Sequence, residues 1–334
     1  MNDLRWKKYP VLNDGFICLV DYMGDDSRIV QAARVSYGMD ERGNTGSEPC
    51  TLCCGLGQDP ENYQTCKECD GSGYGFVQDK KKDRDLLRRL MMDGHTSPFE
   101  KVKFEFLVRV PMDCWRQWIR HRTADVNEYS TRYKEAIDSQ QTTLPGEWRL
   151  QSQNNKQGSS GFLEEWPEHF QPNTFFKPEA IDKLPGEYLS EKEHQFHQAA
   201  IDLYQERLEL GIAREQARKD LPISNYTESY WGCNLHNIFN FLRLRMDSHA
   251  QLEIRSYANA MYEIIKQVCP IACEAFEDYV LHAKKFSRME MEIIRELLTT
   301  LKDGLVTNRD YDSKIGKPSD MTDNEWKSFL EKLT

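Results

Sequence analysis

Between Val102 and Val110 the chain alternates, with Val102, Phe104, Phe106, Val108 and Val110 separated by Lys103, Glu105, Leu107 and Arg109. Successive side chains of a strand point to opposite faces, so this segment is a strand with one buried and one mixed face. Such a strand needs partner strands and a layer packed beneath it. Gly15 to Asp21 carries a second strand pattern, and Asp26-Ser27 can cap a helix bearing Ile29, Val30, Ala33 and Val35. Apolar residues then recur at helical spacing in three later stretches. The first runs from Glu191 to Lys219, with a core stripe of Phe196, Ala199, Ala200, Leu203 and Leu210. The second follows an Asn234 cap, through Leu235, Ile238, Phe239, Leu242 and Met246, and the third runs through Tyr257, Met261, Ile264 and Ile265 to a break at Pro270. With 39% hydrophobic residues in 334, the chain can bury a sizeable core as one large domain or two smaller ones.

The stretch from Trp118 to Tyr133 concentrates the chemistry. Arg120-His121-Arg122 is followed after seven residues by Ser130, with Asp125, Glu128 and Arg132 in between and beyond. Guanidinium groups this close repel one another unless an anion sits among them, and a phosphorylated ligand is the natural counter-charge. Trp115, Trp118 and Ile119 give the same short helix an apolar face, so the arginines start from a partly buried base and not from a solvated helix end. Upstream, Gly94-His95-Thr96-Ser97 forms a turn before the alternating strand. Downstream, Arg245 and His249 are four residues apart and would share a face if the helix ran on. Asp247 and Glu253 could instead satisfy both.

Residues 41–79 interrupt these patterns. Cys50-Thr51-Leu52-Cys53-Cys54-Gly55-Leu56-Gly57 and Cys66-Lys67-Glu68-Cys69-Asp70-Gly71-Ser72-Gly73 repeat C-x-x-C-x-G-x-G, with twelve residues between Cys53 and Cys66. Four thiolates at this spacing suit one tetrahedral Zn2+, and the glycines permit the tight turns that point the sulfurs inward. Cys50, Cys53, Cys66 and Cys69 are therefore the expected ligands of a closed, structural site, similar to the zinc-binding repeat of DnaJ-type chaperones. The five remaining cysteines besides Cys54 do not form a framework and are expected as buried free thiols; Cys54 is the spare thiol of the insert. The segment from 136 to 190 is rich in Gln, Ser, Asn and Gly and reads as a surface insertion or a lid. The last fifty or so residues, 281–334, read as a charged, peripheral helical extension.

A net charge of -10 argues against a protein that coats nucleic acid, and any phosphate site must be local. With neither a signal peptide nor a run of about 18 apolar residues, a cytoplasmic location is expected.

Arg120-His121-Arg122-x7-Ser130 resembles the signature of the flavin-dependent thymidylate synthases. The resemblance extends through Ala32-Ala33-Arg34-Val35-Ser36, Gly94-His95-Thr96-Ser97-Pro98-Phe99-Glu100 and Leu242-Arg243-Leu244-Arg245-Met246-Asp247-Ser248-His249-Ala250-Gln251. It implies an α+β fold over residues 1–280, a sheet with packed helices, and a homotetramer that shares active sites between subunits. It also implies methylation of dUMP to dTMP with FAD, NADPH as reductant and methylenetetrahydrofolate as one-carbon donor. Carried over by position, Gln117, Glu128, Ser130, Thr131, Arg132, Arg218 and Arg245 match the dUMP site. His95, Ser97, Arg120, His121, Arg122, Asn234, His236, Asn240 and His249 match the FAD site, and Arg245, His95 and Ser130 are the catalytic candidates. His236 stands where relatives often carry an arginine, and Asp125 where a small hydroxyl is common. Two alternatives stand beside this reading: a same-fold enzyme acting on another pyrimidine nucleotide or transferring a hydroxymethyl group, and a non-enzymatic zinc-ribbon nucleic-acid binder.

Overall fold

A computed structural model describes residues 4–36, 58, 80–153, 156, 158–170, 183–294, 321–323 and 325–327. In chain order the elements are β1 (Lys8–Val11), β2 (Gly15–Met23), α1 (Asp26–Val35), α2 (Lys80–Met92), β3 (Lys103–Pro111), α3 (Met112–Trp118), β4 (Asp125–Glu128), β5 (Arg149–Gln151) and β6 (Ser159–Phe162). Then follow α4 (Pro185–Glu209), α5 (Arg214–Ala217), β7 (Tyr226–Asn234), α6 (Leu235–Arg245), α7 (Leu252–Val268) and α8 (Pro270–Phe276). Two compact units contain them, Met1–Gly24 with Phe99–Val268, and Asp25–Pro98 with Cys269–Thr334. Cys50, Cys53, Cys66 and Cys69 lie outside the described residues.

In the first unit, a five-stranded antiparallel sheet has the order β1-β2-β3-β7-β4. The alternating segment is its centre: Phe104, Phe106, Val108 and Val110 are buried, and β3 pairs with β7 from Lys103↔Asn234 to Pro111↔Tyr226. The aromatic stretch at Tyr226 to Trp231, without a clear period in the sequence, is thus a strand. Four-residue β4 is exposed along its whole length, a short polar edge.

Trp118 anchors the apolar layer. Its ring lies 4.9 Å from Phe241, 5.7 Å from Trp231, 5.9 Å from Tyr257 and 6.0 Å from Trp115, joining α3, β7, α6 and α7. From α7, the Tyr257 hydroxyl donates to the Arg109 carbonyl at 2.7 Å. A Cβ on Gly15 would stand 1.8 Å from that hydroxyl, so only glycine lets helix and strand approach this closely.

In the second unit, α1, α2 and α8 pack with Ile29, Val30, Ala33, Leu87, Leu90, Ala272 and Phe276 buried. The cap of α1 is Asp25, one residue before the position expected, because its carboxylate accepts from the backbone N–H of Ser27 and Arg28. Asp26 instead accepts from Ile271 and Ala272 at 2.8 and 2.9 Å, and Val35 is exposed. In the C-terminal segment, residues 282–294 are largely exposed, but the stretch around Glu325 packs inward. Glu325, 4% exposed, meets the buried Arg88 of α2 at 2.5 Å, and Arg88 also donates to Glu274 and Asp278. Cys18, Cys114, Cys233, Cys269 and Cys273 are buried free thiols, as the sequence predicts.

The expected helix from Glu191 to Lys219 starts earlier and ends earlier. α4 stops at Glu209, and Gly211, at φ 76°, turns the chain before α5. Its predicted core stripe is corrected: Phe196, Leu203 and Leu210 are 46%, 40% and 72% exposed, and Tyr188, His197 and Tyr204 form the buried face. Hydrogen bonding decides this, since Ala136 N–H donates to the Tyr204 hydroxyl at 2.9 Å and His197 Nε2 meets Ser224 Oγ at 2.8 Å. The start of the 136–190 segment is fastened to α4, with Thr143 N–H donating to Glu193 at 2.6 Å and Trp148 to Ser190 at 3.0 Å. Further along, β5 and β6 pair as a two-stranded sheet.

Burial, and then the neighbouring His194, hold the His197 pKa below the usual 6.5. The unfolded chain therefore binds a proton before the folded one does, and stability present above about pH 6.5 is lost as the pH falls through the folded value. Urea midpoints taken from pH 7.5 down to 5.5 should fall, and His197→Gln should flatten the slope. An unchanged slope in that variant would assign the acid sensitivity elsewhere.

Candidate functional site

The signature stretch runs along β4 and divides between two cavities of the first unit. At the start of β4, a cavity of about 640 Å3 is lined by Arg122, Thr123 and Asp125, by Lys103 and Glu105 of β3, and by Cys233, Asn234 and Asn237. Asn234 caps α6, its side-chain oxygen accepting from Asn237 N–H at 2.9 Å. Arg120 and Arg122 are exposed, with no acidic partner among the described residues. His121 turns inward, its ring 5.7 Å from Phe241 and 6.1 Å from Trp231, and burial followed by the charge of Arg245 lowers its pKa. Both effects favour the neutral imidazole, whose Nε2 lies 3.0 Å from the Thr123 hydroxyl.

Past the end of β4, a second cavity of about 620 Å3 is lined by Glu128, Ser130 and Thr131, by Arg116 of α3, and by Arg218 and Lys219. Three cations outnumber the single carboxylate of Glu128 in a lining rich in hydroxyls, a setting for an anionic oxygen-rich ligand. Arg218 donates to the Thr131 hydroxyl. Glu128 accepts from Thr227 at 3.0 Å, and Ser130 caps a turn by accepting from Arg132 N–H at 3.4 Å. Arg132 itself is exposed and paired with Glu215 at 3.2 Å.

Arg245 reaches α3 from the end of α6, donating through Nη2 to the Gln117 carbonyl at 2.9 Å. It is half-buried without an acidic partner among the described residues, and burial lowers its pKa. The helix does not run on to His249. α6 ends at Arg245, and Asp247 accepts from both the backbone N–H and Nδ1 of His249 at 2.8 Å, holding it in an exposed turn. Glu253 pairs with Arg149 at 2.6 Å and not with Arg245. His236 and Asn240 lie on α6, where Asn240 accepts from Arg243 at 3.1 Å.

His95 and Ser97 belong to the second unit. Gly94, at φ 71°, closes α2: its N–H donates to Met91 and that of His95 to Leu90, at 3.2 and 2.8 Å. This left-handed cap fixes the direction in which exposed His95 leaves the helix.

Arg116, Lys219 and Asn237 were not singled out in the sequence. Arg116 could have been found, since it lies four residues after Met112 and both line the second cavity. Lys219 and Asn237 enter through tertiary folding and left no local signal.

Residues 18–271 match the family model described as thymidylate synthase complementing protein. A flavin-dependent thymidylate synthase of Treponema denticola is 40% identical over 302 residues, covering 90% of this chain and 92% of that protein. The chain belongs to the flavin-dependent thymidylate synthase family. A second member, from Wolbachia pipientis wMel, is 39% identical over 330 residues, 99% of this chain and 93% of that one. Among solved structures, the UMP/dUMP methylase PolB of Streptomyces cacaoi bound with 5-Br dUMP aligns at a TM-score of 0.59 and 27% identity, covering 82% of this chain and 99% of that one. The α+β fold expected from the resemblance is that of this synthase family, and the chain is a methyltransferase of it, not a non-enzymatic nucleic-acid binder. No helix among the described residues is long and apolar enough to cross a membrane.

Proposed function

We propose that the protein converts dUMP to dTMP with FAD, drawing the one-carbon unit from methylenetetrahydrofolate and electrons from NADPH, in the cytoplasm. The observation that carries this is the second cavity, where Arg116, Arg218 and Lys219 share a lining with Ser130 and Thr131 and Arg218 donates to the Thr131 hydroxyl. A nucleotide phosphate supplies the charge these cations lack, and Arg132 joins them by exchanging its exposed ion pair with Glu215. Arg245 presents guanidinium N–H groups to a uracil carbonyl, where they stabilise negative charge on the ring without a covalent nucleophile. Ser130 acts as a ligand: its Oγ already accepts from Arg132 N–H, and no described histidine or carboxylate is bonded to it.

Lys103, Arg122 and Asn234 of the first cavity are the groups that would hold the flavin's diphosphate, and exposed Arg120, two residues before Arg122, would join them. The carboxylates of Asp21, Glu105 and Asp125 line the same space. His121, His236, Asn240 and His249 complete the flavin set of the first unit; His95 and Ser97, matched to the flavin by the resemblance, belong to the second. The bound flavin supplies hydride chemistry. The protein's residues hold the nucleotide, fix the direction of its uracil edge and exclude water from the ring face.

The assembly is a homotetramer with shared sites. Exposed Leu203 on α4 and Leu210 just past its end give it an apolar seam, and the dUMP residues fall in two groups, one around the second cavity and one at Gln117 and Arg245.

Purified protein reconstituted with FAD should retain the flavin spectrum and form dTMP from dUMP only when folate and NADPH are both present. Product masses from parallel incubations with dUMP, UMP and dCMP separate this from the other pyrimidine readings; methylation of dCMP alone would replace dUMP as the substrate.

Cys50, Cys53, Cys66 and Cys69 hold one structural Zn2+. The insert has too few apolar residues for a core of its own, so metal binding supplies most of its folding free energy. Cys66→Ser should lose zinc and gain protease cuts in residues 45–76 while keeping flavin and turnover. Full zinc content in that variant would refute the ligand set, and an inactive but flavin-bound tetramer would refute the structural role.

A further inference from the structure

The carboxamide of Gln117 is the end of a hydrogen-bond relay whose polarity is set at its far end. Asp113, one turn earlier on α3, is pinned by its backbone N–H, which donates to the Ile223 carbonyl at 3.0 Å. Its side chain accepts through Oδ2 from Gln251 Nε2 at 3.1 Å. A carboxylate only accepts, so Gln251 must turn its NH2 toward Asp113; the same nitrogen lies 4.0 Å from Cys114 Sγ. The oxygen of Gln251 is thereby aimed at Gln117, which donates to it through Nε2. That leaves Oε1 of Gln117 without a protein partner among the described residues, while Arg245 donates to the backbone carbonyl of the same residue at 2.9 Å. An amide left to itself can present either end to a ligand. Here reversing Gln117 would set two amide oxygens against each other, and reversing Gln251 with it would set an oxygen against the Asp113 carboxylate, leaving polar groups unpaired in a half-buried site.

Resting on the reading of Gln117 as a nucleotide contact, we propose that Asp113 and Gln251 are positioning residues that make Gln117 offer its carbonyl oxygen to a hydrogen-bond donor of the nucleotide. Arg245, held by the backbone of Gln117, donates, and the side-chain amide of Gln117 accepts. The pair matches an acceptor next to a donor, and it is wrong for a phosphate, which presents acceptors only. Two groups of dUMP carry the required donor: N3–H of the uracil, beside its carbonyls, and the 3′-hydroxyl of the sugar. In either case Asp113, which touches no ligand, sets a preference through two intervening amides.

Binding to the flavin-reconstituted protein separates these sources from a merely structural role. Affinities are measured for dUMP, N3-methyl-dUMP and 3′-deoxy-dUMP in the parent, Gln117→Met, Asp113→Leu and the conservative Asp113→Asn. In the parent, the analogue that lacks the donor facing Gln117 should bind about 10-fold or more weakly, the effect of one lost hydrogen bond in a half-buried site. Gln117→Met should bring dUMP down to that analogue's level and leave the analogue's own affinity unchanged, and Asp113→Leu should narrow the same gap. Asp113→Asn keeps an accepting oxygen for Gln251 and should preserve most of the preference. A parent that binds all three ligands alike overturns the proposal, as does Gln117→Met weakening all three by one factor. A parent that binds no dUMP, yet retains flavin, fails the nucleotide reading itself and takes the proposal with it.

Discussion

Arg245→Ala should keep its flavin and its assembly and lose on the order of 100-fold in turnover, the typical cost of removing one preorganised donor from a developing negative charge. The residue is half-buried at the end of α6 and makes one described hydrogen bond, to the Gln117 carbonyl. A guanidinium remains charged even where burial lowers its pKa, so in the free protein this is a cation partly shielded from water without a carboxylate beside it among the described residues. Keeping it there costs stability, and recovery of that cost on binding an electron-rich edge is what the site gains. The structural loss is smaller, about 1 kcal/mol for the hydrogen bond to Gln117, so the melting temperature should move little while dUMP affinity and turnover both fall. A variant that turns over at the parent's rate would remove Arg245 from the site, and Arg243, exposed one turn-face away and bonded to Asn240, would be tested next.

Why some of this fold was legible and some was not follows from how each segment is satisfied. β3 declared itself because its two faces meet different environments, core and cavity, so the period of two survives in the side chains. β7 did not, because Thr227 and Ser229 are buried polar residues whose hydroxyls bond to Glu128 and to the Asn127 carbonyl, and this breaks the apolar alternation. α4 misled in the opposite way. Its leucines and Phe196 keep helical spacing but are largely exposed, and the face that is buried is chosen by the hydrogen bonds that Tyr204 accepts from Ala136 and His197 shares with Ser224. Periodicity reports that a face is apolar; it does not report which neighbour covers it.

The candidate site has the same mixed character. Arg122 and Ser130 are eight positions apart and look like one cluster in the sequence, yet β4 lies between them and they line different cavities. His249 looked like a helical neighbour of Arg245, and Asp247 ends that relation by capturing its backbone and ring. The grouping of Glu128, Ser130, Thr131 with distant Arg218 came from the family resemblance and has a geometric counterpart in one cavity, whereas local pattern alone contains nothing that links residue 131 to residue 218.

Trp118→Ala should be the most destabilising single change in the first unit, at about 3–5 kcal/mol. The side chain has no exposed surface and touches Trp115, Trp231, Phe241 and Tyr257, so truncation opens a cavity whose walls come from four different elements that cannot all close in together. A loss of this size is a large part of the roughly 5–15 kcal/mol by which a domain is folded. It also reaches the site, because His121 rests on Trp231 and Phe241, the same two rings that Trp118 supports. Trp118→Phe discriminates between volume and polarity. The Nε1 of Trp118 is buried without a hydrogen-bond partner among the described residues, so phenylalanine removes that unpaired donor while giving up part of the volume. It should therefore cost well under half of what alanine costs. Denaturant unfolding of both variants decides the matter: an alanine variant within about 1 kcal/mol of the parent would mean that the aromatic layer repacks freely, and that Trp118 does not hold the signature stretch in place.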